Sequence, residues 1–573
     1  MQATKKPLTV FAVTALLLPT GVLADSFCDG ETTPIHQIQG HQDRSELVGR
    51  TVRVKGLVSG VYQGENSLKG FFLITPTSEQ DNQPETSEGI FIYNMTPVAV
   101  GQSVMVSGQV TEYYGLTELS KVSQVRVCDT HQTLPPVVPL SSLQQVPGWQ
   151  ERVESMPVQT STLWITGNST LSRFGELDTA TDNLFEHATG PTAPTQPYSH
   201  WVIDDGSPGS ASLWATYTDA DSVRLGARIE PFTAIVSYAY GQYRLLPQSR
   251  IQSQPNRPIA APVSPFPLEA TTSIAQLNVR NLFNGDGLGQ GFPTARGAKT
   301  ATEFQQQLAK LALTLNQLNA DIIAVSELEN DGFDSTSAVA DLVRAINQQR
   351  DASDHYQMVT AKEGDSGDDL ITQGLLYKPR LWRLERAAFL PLHSKDVSAR
   401  PALSGTFLNA DSGKRLQVVV VHYKSRRAGC SEDPKAEPPA GFCFQRREMM
   451  SRNLLQQLAD NAQDKPDLMV VSGDFNAYMG EPALTLLTDS GWVDTRQHLN
   501  QTDAYTYVYR NQPGALDHFF VRSTAPSLPD MHQVDWHINA AESDVVVADE
   551  AKTGRLTVYR SSDHDPSMLY FNW

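Results

Sequence analysis

The chain is poor in cysteine and in positive charge, and no long apolar run follows its first 24 residues. Only four of its 573 residues are cysteine, and 63 acidic residues against 45 lysines and arginines give a formal net charge of −18. Proteins that hold nucleic acid by electrostatic attraction alone carry a basic surface, so the overall charge argues against that class. Clustered carboxylates, in contrast, suit a site for a hard divalent cation.

The cysteines argue against two further kinds of site. Cys28, Cys128, Cys430 and Cys443 contain no C-x-x-C pair, so the sequence does not indicate a zinc ribbon or thioredoxin-like chemistry. Two disulfides are the simplest interpretation, although four cysteines allow three pairings. We favour Cys28 with Cys128 and Cys430 with Cys443, because each pair lies within one predicted domain.

Residues 1–24 are typical of a secretory signal peptide. Lys5 and Lys6 form a positive start, residues 8–18 are mostly apolar, and residues 22–24 are Val-Leu-Ala. A membrane-spanning helix needs about 20 apolar residues, so this run is too short to be one. We expect cleavage at about Ala24 and a secreted protein, extracellular or periplasmic in transit, without a membrane span.

Residues 255–268 are rich in proline and predict a stiff linker between domains. Upstream of them, segments such as T-V-R-V-K-G-L-V indicate many short strands with glycine turns, which is typical of a small barrel. We predict a barrel of the oligonucleotide/oligosaccharide-binding (OB) type at 25–132 and a second β-rich region at 133–254. V-T-E-Y-Y-G-L-T-E-L in the first region is echoed by V-S-Y-A-Y-G-Q-Y-R-L in the second, so a more degenerate barrel is one interpretation of the latter.

Residues 269–573 follow a different pattern. Short apolar runs at 274–279, 320–326, 416–422 and 467–472 are typical of buried strands. Two segments with helical spacing, 303–319 and 446–463, lie between them. Strands that alternate with helices predict a layered α/β domain.

Polar side chains stand where these apolar runs end. In chain order they are Asn278, Glu327, His422, Asp474, Asn476, Asp517, Asp563 and His564. Each alone has an ordinary explanation, such as a turn in which the side chain binds its own backbone. Catalytic groups also collect where strands open into loops, so the set as a whole predicts one shared site.

The motifs that carry these residues are L-N-V-R-N-L-F, S-E-L-E-N, V-H-Y-K-S, G-D-F-N-A, L-D-H-F-F and S-D-H-D-P. In this order they resemble the endonuclease/exonuclease/phosphatase superfamily, which includes pancreatic-type deoxyribonuclease. The N-terminal half is similar to the β-rich region that precedes this domain in secreted bacterial nucleases. The resemblance implies a four-layered α/β sandwich, in which helices flank two packed β-sheets, and a metal-dependent phosphodiesterase or phosphatase.

By resemblance, the cation site is formed by oxygen donors. Glu327 is expected to hold the ion, with Asp563 close by. Asn278 is expected beside the ion, where it can also contact the substrate. Such a donor set suits Mg²⁺, with Mn²⁺ or Ca²⁺ as alternatives.

The resemblance also implies the catalytic roles. Asp474 is expected to orient or deprotonate the attacking water, and Asn476 to donate a hydrogen bond to the phosphate. His422 and His564 are expected to flank this phosphate. Asp517 is expected to orient one of the two imidazoles, and which one it serves stays open at this point.

Two further polar residues lie near these motifs. Asp369 is a candidate for a second orienting carboxylate. His518 follows Asp517 directly and faces the other side of a strand, so it is left out of the predicted site.

Two local features favour nucleic acid as the substrate. We expect DNA, although the sequence does not distinguish DNA from RNA. Five cations flank the loop between Cys430 and Cys443, where they are predicted to offset the repulsion of a polyanion: Lys424, Arg426, Arg427, Arg446 and Arg447. Barrels also bind single strands through aromatic side chains. Candidates for this role, with barrel packing as the alternative, are Tyr113, Tyr114, Tyr240 and Tyr243.

The sequence therefore predicts a secreted, magnesium-dependent nuclease with no evident obligate protein partner. A secreted phospholipid phosphodiesterase of the sphingomyelinase type is the first alternative, although an apolar hairpin for a membrane surface is not evident in the sequence. A non-catalytic protein that binds nucleic acid or matrix is the second. The presence of every expected catalytic residue type argues against it.

Overall fold

The computed structural model describes residues 27–572, except 143–147, 184–199, 208–218, 220, 222, 255–256, 259, 268–270, 363–364, 436–437, 461–465 and 502–503. The predicted signal peptide at 1–24 therefore lies outside the described residues. None of the described helices is both long enough and apolar enough to cross a membrane. The chain forms two compact units. The first comprises the described residues of Met1–Val138, Val146–Pro157 and Val236–Gly241, and the second comprises those of Pro139–Gln145, Val158–Ile235 and Gln242–Trp573.

The first unit contains a closed five-stranded barrel in the order β1-β2-β3-β5-β4. Its strands are β1 (Thr51–Tyr62), β2 (Gly70–Ile74), β3 (Gly89–Ile92), β4 (Ser103–Tyr113) and β5 (Leu116–Asp129), and a short helix α1 (Ile35–Gln39) precedes them. The interior is apolar, with Val54, Phe71 and Leu119 buried in one cluster. The barrel lies where the sequence places it, and its assignment to the OB type stays a prediction.

Both predicted disulfides are present. Cys28 is bonded to Cys128 with their Cα atoms 5.7 Å apart, and Cys430 is bonded to Cys443 with their Cα atoms 5.5 Å apart. The pairing by neighbourhood is thus confirmed.

The region after the barrel is β-rich, as predicted, but its described strands form a nine-stranded sheet in the order β14-β11-β8-β9-β10-β13-β12-β7-β6. This sheet is not a second closed barrel, because its edge strands β14 and β6 do not pair with each other. A short helix, α2 (Leu171–Phe174), lies before β9. The strands are β6 (Val138–Pro139), β7 (Pro157–Gln159), β8 (Leu163–Gly167), β9 (Glu176–Ala180), β10 (His200–Asp204), β11 (Arg228–Ile229), β12 (Thr233–Ala239), β13 (Gln242–Pro247) and β14 (Ser253–Gln254).

The sequence echo corresponds to two tight turns, not to two barrels. Tyr114 and Gly115 join β4 to β5 with φ of 51° and 101°, and Tyr240 and Gly241 join β12 to β13 with φ of 53° and 79°. Two-residue hairpin turns favour positive φ at both central positions, which glycine adopts without strain. The Tyr-Gly pair therefore recurs because both turns have the same geometry.

The remaining chain contains two six-stranded sheets. The first has the order β17-β18-β16-β15-β28-β27, and the second has the order β19-β20-β21-β22-β26-β23. The first sheet consists of β15 (Thr271–Leu282), β16 (Ile322–Glu329), β17 (Gln357–Met358), β18 (Ile371–Tyr377), β27 (Asp530–Asp535) and β28 (Ser567–Asn572). The second consists of β19 (Trp382–Leu390), β20 (Ala402–Asn409), β21 (Arg415–His422), β22 (Leu468–Asp474), β23 (Val493–Asp494) and β26 (Asp517–Ser523).

Helices and a small hairpin complete this region. Thr300 caps the helix α3 (Ala301–Leu318), because its side chain accepts a hydrogen bond from the Glu303 backbone amide. The separate hairpin pairs β24 (Tyr507–Tyr509) with β25 (Gln512–Gly514). The helices are α3 (Ala301–Leu318), α4 (Ala338–Asn347), α5 (Phe444–Asp460), α6 (Pro482–Asp489), α7 (Thr495–His498) and α8 (Val545–Thr553).

The two sheets pack face to face through an apolar core. Leu375 of the first sheet shares this core with Val418 and Val470 of the second. Successive side chains of a strand point to opposite faces. Accordingly, Ile323 packs with α3 outside the first sheet, and Val419 packs with α5 outside the second. The predicted four-layered α/β sandwich is confirmed.

The proline-rich segment lies within the second compact unit and contacts the sandwich. The Tyr559 hydroxyl donates a hydrogen bond to the Pro258 carbonyl oxygen (2.9 Å), and the Tyr570 hydroxyl donates one to that of Pro262 (3.1 Å). The boundary between compact units thus does not coincide with residues 255–268. Independent folding of residues 269–573 stays a prediction.

Replacement of Leu375 by alanine should lower the free energy of unfolding by about 2–5 kcal/mol, because a large cavity would form between the sheets. Leu375 is fully buried, whereas Leu288 is 76% exposed, so Leu288→Ala is the control and should change stability by less than about 0.5 kcal/mol. Denaturant titrations of both variants measure the difference. Equal, small effects would contradict the assigned core.

Candidate active site

The predicted site residues gather because neighbouring strands end at one edge of the sandwich. β21 and β22 are parallel, and their last residues, His422 and Asp474, pair with each other. β26 runs antiparallel to β22, so its first residue, Asp517, pairs with Asp474. In the facing sheet, Asn278 of β15 pairs with Ser326 of the parallel strand β16, next to Glu327.

Asp474 lies at the centre of the site. Its Oδ2 atom accepts a hydrogen bond from Asn278 Nδ2 (3.2 Å), which connects the two sheets. The same oxygen lies 3.5 Å from His422 Nε2 and 3.9 Å from His564 Nε2. The other oxygen, Oδ1, accepts the backbone amide of Asn476 (2.8 Å). Both imidazoles thus converge on one buried carboxylate.

Asp517 orients His564, which answers the question that the sequence left open. Asp517 Oδ2 lies 2.7 Å from His564 Nδ1 and also accepts a hydrogen bond from the Thr506 hydroxyl (2.6 Å). Its second oxygen accepts a hydrogen bond from Gln276 Nε2 (2.5 Å). These contacts fix the ring so that Nε2 points toward Asp474.

His422 is held differently. Its Nδ1 atom is buried and has no hydrogen-bond partner within the described chain. Asp369, the candidate for a second orienting carboxylate, makes no contact with this imidazole within the described chain. Instead, Asp369 Oδ2 accepts a hydrogen bond from Arg400 (2.8 Å), which donates to the carbonyl oxygens of His422 (3.0 Å) and Tyr423 (2.6 Å). Asp369 therefore acts on the backbone of β21 through a guanidinium group.

The backbone around Glu327 is strained. Glu327 has φ of 67°, and Asn281 opposite it has φ of 51°. The pairing of both strands is irregular here, between Asn278 and Leu282 and between Ser326 and Leu328. Glu327 Oε2 accepts hydrogen bonds from the Asn281 backbone (3.0 Å) and side-chain amide (2.7 Å). Such a conformation costs about 1–3 kcal/mol and is typical of functional sites.

Asp563 completes the acidic edge. Ser562 Oγ donates a hydrogen bond to the Asn278 carbonyl oxygen (2.6 Å) and lies 3.4 Å from Asp563 Oδ1. Burial raises the pKa of Glu327, and the negative charge of Asp563 adds to this rise. Two carboxylates that repel each other form a pair of oxygen donors that a divalent cation would stabilise.

The three central groups differ in charge. Burial alone would lower the pKa of His564, but Asp517 raises it well above its usual range, so this imidazole is protonated. Burial, with the positive charge of Arg400, lowers the pKa of His422 well below its usual range. Burial raises the pKa of Asp474 to about 7, and repulsion from Asp517 adds to this rise. One imidazole is thus a charged donor and the other is neutral.

The cation cluster predicted beside His422 is only partly available. Arg426 pairs with Glu481 (2.6 Å) and Arg446 pairs with Glu432 (3.1 Å), so carboxylates offset both charges. Arg447, which is fully buried, donates hydrogen bonds to three backbone carbonyls, those of Lys424, Phe442 and Ala440. The expectation of five cations facing the substrate is therefore wrong for Arg447. Lys424 is half-buried and Arg427 is exposed.

Several residues of the site were not predicted from the sequence. Gln276 and Arg400 lie on strands or loops whose local pattern gives no sign of their contacts. Thr506 has a weak signal, since it begins the segment T-Y-V-Y that leads to Asp517. His518, which the sequence excludes, is fully buried and its Nδ1 lies 3.4 Å from Asp494 Oδ2.

Comparison with known proteins yields one sequence family and several solved structures. A search of curated proteins gives no match. The human nocturnin catalytic domain with bound sulfate is 15% identical, with 53% of this chain and 94% of that chain covered at a TM-score of 0.36. D. rerio TDP2 with a single-strand DNA product is 17% identical, with 53% and 100% covered at a TM-score of 0.34. The mannosyl-6-phosphatase of Bacteroides thetaiotaomicron is 15% identical, with 52% and 98% covered at a TM-score of 0.33.

The sequence match is more informative than these low structural scores. It is to the family described as Endonuclease/Exonuclease/phosphatase, and it extends over residues 275–564. Every residue of the site described above, from Gln276 to His564, falls within this range. The chain therefore belongs to the endonuclease/exonuclease/phosphatase family, whose members hydrolyse phosphodiesters or phosphate esters.

Proposed function

We propose that the chain is a secreted, metal-dependent nuclease that hydrolyses phosphodiester bonds, with DNA as the principal substrate and RNA as a further possibility. The observation that supports this most directly is the convergence of His422 and His564 on Asp474 Oδ2, at 3.5 Å and 3.9 Å. A phosphodiester needs an oriented water, charge stabilisation on the phosphoryl oxygens and a proton for the leaving oxygen. Asp474 is the group for the water, and His564, whose pKa is raised, is the group for the phosphoryl charge and the proton of the leaving oxygen.

The metal would be held by Glu327 and Asp563, with Asn278 beside them. The mutual repulsion of the two carboxylates and their oxygen-only chemistry fit a hard cation, Mg²⁺ in the first place. When bound, such an ion supplies Lewis-acid stabilisation of the charge on the phosphoryl group.

The attacking water is oriented by Asp474. This carboxylate is fixed by hydrogen bonds from Asn278 and Asn476, and the rise of its pKa to about 7 suits a group that accepts a proton near neutral pH. Asn476 also anchors the neighbouring strand, since its side-chain amide donates to the Tyr423 carbonyl oxygen (3.2 Å). The second N–H of the Asn476 side chain would donate a hydrogen bond to the phosphate.

The two histidines have separate roles because they differ in charge. His564, protonated by its contact with Asp517, donates a hydrogen bond from Nε2 to the phosphoryl group, where negative charge grows in the transition state. Because its pKa is lowered, His422 is neutral, and its Nε2 atom lies 3.8 Å from Glu327 Oε1. In this position it would contact the attacking water and the phosphate.

The cations at the rim support a nucleic-acid substrate. Lys424 and the exposed Arg427 lie in the segment that follows His422, and Arg400 holds the backbone of that strand. Charges beside the site favour a polyanion locally although the chain as a whole is acidic.

Purified protein should cut plasmid or linear DNA, and excess chelator should abolish this activity, because the donor set is made of oxygen atoms that require a hard ion. Mg²⁺ or Mn²⁺ should restore it. Parallel assays on RNA, sphingomyelin and a phosphomonoester measure the preference. Hydrolysis of sphingomyelin with no cleavage of DNA would contradict the proposal and support the lipid alternative.

His564→Ala should lower kcat on DNA by about 10²- to 10⁴-fold, because the transition state loses its charged donor. His422→Ala should also lower kcat, and the double variant should lose less than the product of the two effects, since both rings act on one phosphoryl group. Thermal unfolding of each variant, measured beside kcat, separates catalysis from stability.

The matched control is His532→Ala. His532 lies on β27, where its ring stacks on Tyr570, and the described part of the chain shows no contact between it and the site. This variant should keep the wild-type kcat. A folded His564→Ala variant with wild-type turnover would disprove the assigned role.

A further inference from the structure

The hairpin of β24 and β25 lies against the catalytic histidine. The ring centroid of Tyr507, on β24, is 4.5 Å from that of His564, and the ring planes meet at 32°. Burial raises the pKa of Tyr507 to about 12, and the charges of Asp563 and Asp474 contribute to this rise. Tyr507 therefore forms part of the wall of the site.

The tip of this hairpin is anchored outside the family domain. Arg510 and Asn511 form the turn, with φ of 48° and 66°. Asn511 Nδ2 donates a hydrogen bond to Asp178 Oδ2 (2.8 Å). Asp178 belongs to β9 of the nine-stranded sheet, whereas the family match begins at residue 275. Both residues lie in the second compact unit.

The nine-stranded sheet is shaped to receive Asn511. Gly167 of β8 pairs with Asp178 of β9, directly beside the contact. A Cβ atom added at Gly167 would collide with both the Asn511 amide and the Asp178 carboxylate. Glycine at this position thus allows the close approach of the hairpin tip.

The accepting carboxylate is also held in place. The other oxygen of Asp178 lies 3.1 Å from His200 Nε2 on β10. Burial alone would raise the pKa of Asp178, but the hydrogen bonds from His200 and Asn511 lower it, so the group is a carboxylate. The anchor is therefore a charge-assisted hydrogen bond on a fixed strand.

The sheet that carries Asp178 is joined to the sandwich at a second place. Glu542 accepts hydrogen bonds from Arg224 (2.7 Å) and from Arg257 Nε (2.9 Å). Asn168 Nδ2 donates to the carbonyl oxygens of Val223 (2.9 Å) and Ala541 (3.1 Å). The hairpin tip is consequently attached to a frame that is itself fixed to the catalytic region.

We propose that Asp178 is a positioning residue for the hydrolytic site. Through Asn511 it fixes the hairpin, so that Tyr507 covers one face of His564 and restricts that imidazole to a single orientation. The kinetic effect of this role rests on the proposed function. The packing of Tyr507 on His564 does not depend on that function.

Asp178→Ala in the full chain should lower kcat on DNA by about tenfold with KM little changed, because a small displacement of a catalytic group slows the chemical step. Asp178→Asn keeps an acceptor oxygen and should restore most of the activity. Asn511→Ala should match Asp178→Ala, and the double variant should lose no more than either single variant, since all three break one contact.

Gly167→Ala tests the same contact without removing a polar group, and it should lower kcat to a similar extent. Gly64→Ala is its control, because a Cβ there meets only an ordinary contact with Ser67 at 3.5 Å. Glu176→Gln is the control for Asp178: Glu176 lies on the same strand and pairs with Arg244 (2.7 Å), and within the described chain it makes no contact with the hairpin. Both controls should keep the wild-type kcat.

The proton resonance of the His564 ring gives a readout that does not depend on turnover. The ring current of Tyr507 should displace it in the wild type, and Asp178→Ala should shift it toward the value found in Tyr507→Leu. A wild-type resonance in folded Asp178→Ala, or an unchanged kcat, would overturn the positioning role. If the wild type hydrolysed no DNA, the proposed function would fail, and the resonance would still decide whether the anchor positions His564.

Discussion

The contact between His564 Nδ1 and Asp517 Oδ2, 2.7 Å long and fully within the protein, sets the charges of the whole site. A buried carboxylate without partners is costly, and Asp517 is satisfied by three donors, which are His564, Thr506 and Gln276. The resulting imidazolium stands 3.9 Å from Asp474, whose burial would otherwise favour the neutral acid still more strongly. Pairing, not exposure to water, is thus what permits several acidic groups to share one small volume.

Sheet geometry brings these groups to the same place. β21 and β22 run parallel and end together, and β26 begins beside them because it runs in the opposite direction. Positive φ angles at Glu327 and Asn476 then turn their side chains away from the regular strand directions. Regular hydrogen-bonded pairing positions the strands, and the irregular backbone at their ends sets the directions of the functional side chains.

The family domain does not contain everything that surrounds its own site. Residues 275–564 match the family, yet the tip of the hairpin that packs on His564 is bound by Asp178, well upstream of that range. The strand that carries Asp178 therefore belongs structurally with the sandwich, because both lie in the second compact unit.

The sequence alone determined the elements and the candidate groups. Apolar runs of strand length, followed by Asn278, Glu327, His422 and Asp474, reflect forces that act over a few neighbouring residues, and the fold class followed from their alternation. The positions of the cysteines along the chain were likewise sufficient to predict both disulfides. The tertiary structure decided which histidine Asp517 serves, and it showed that Arg447 is buried against backbone carbonyls instead of facing a substrate. It also placed Asp178 beside Asn511, 333 positions away in the chain. Periodicity cannot specify such contacts, because they arise from the packing of whole sheets and not from the order of adjacent residues.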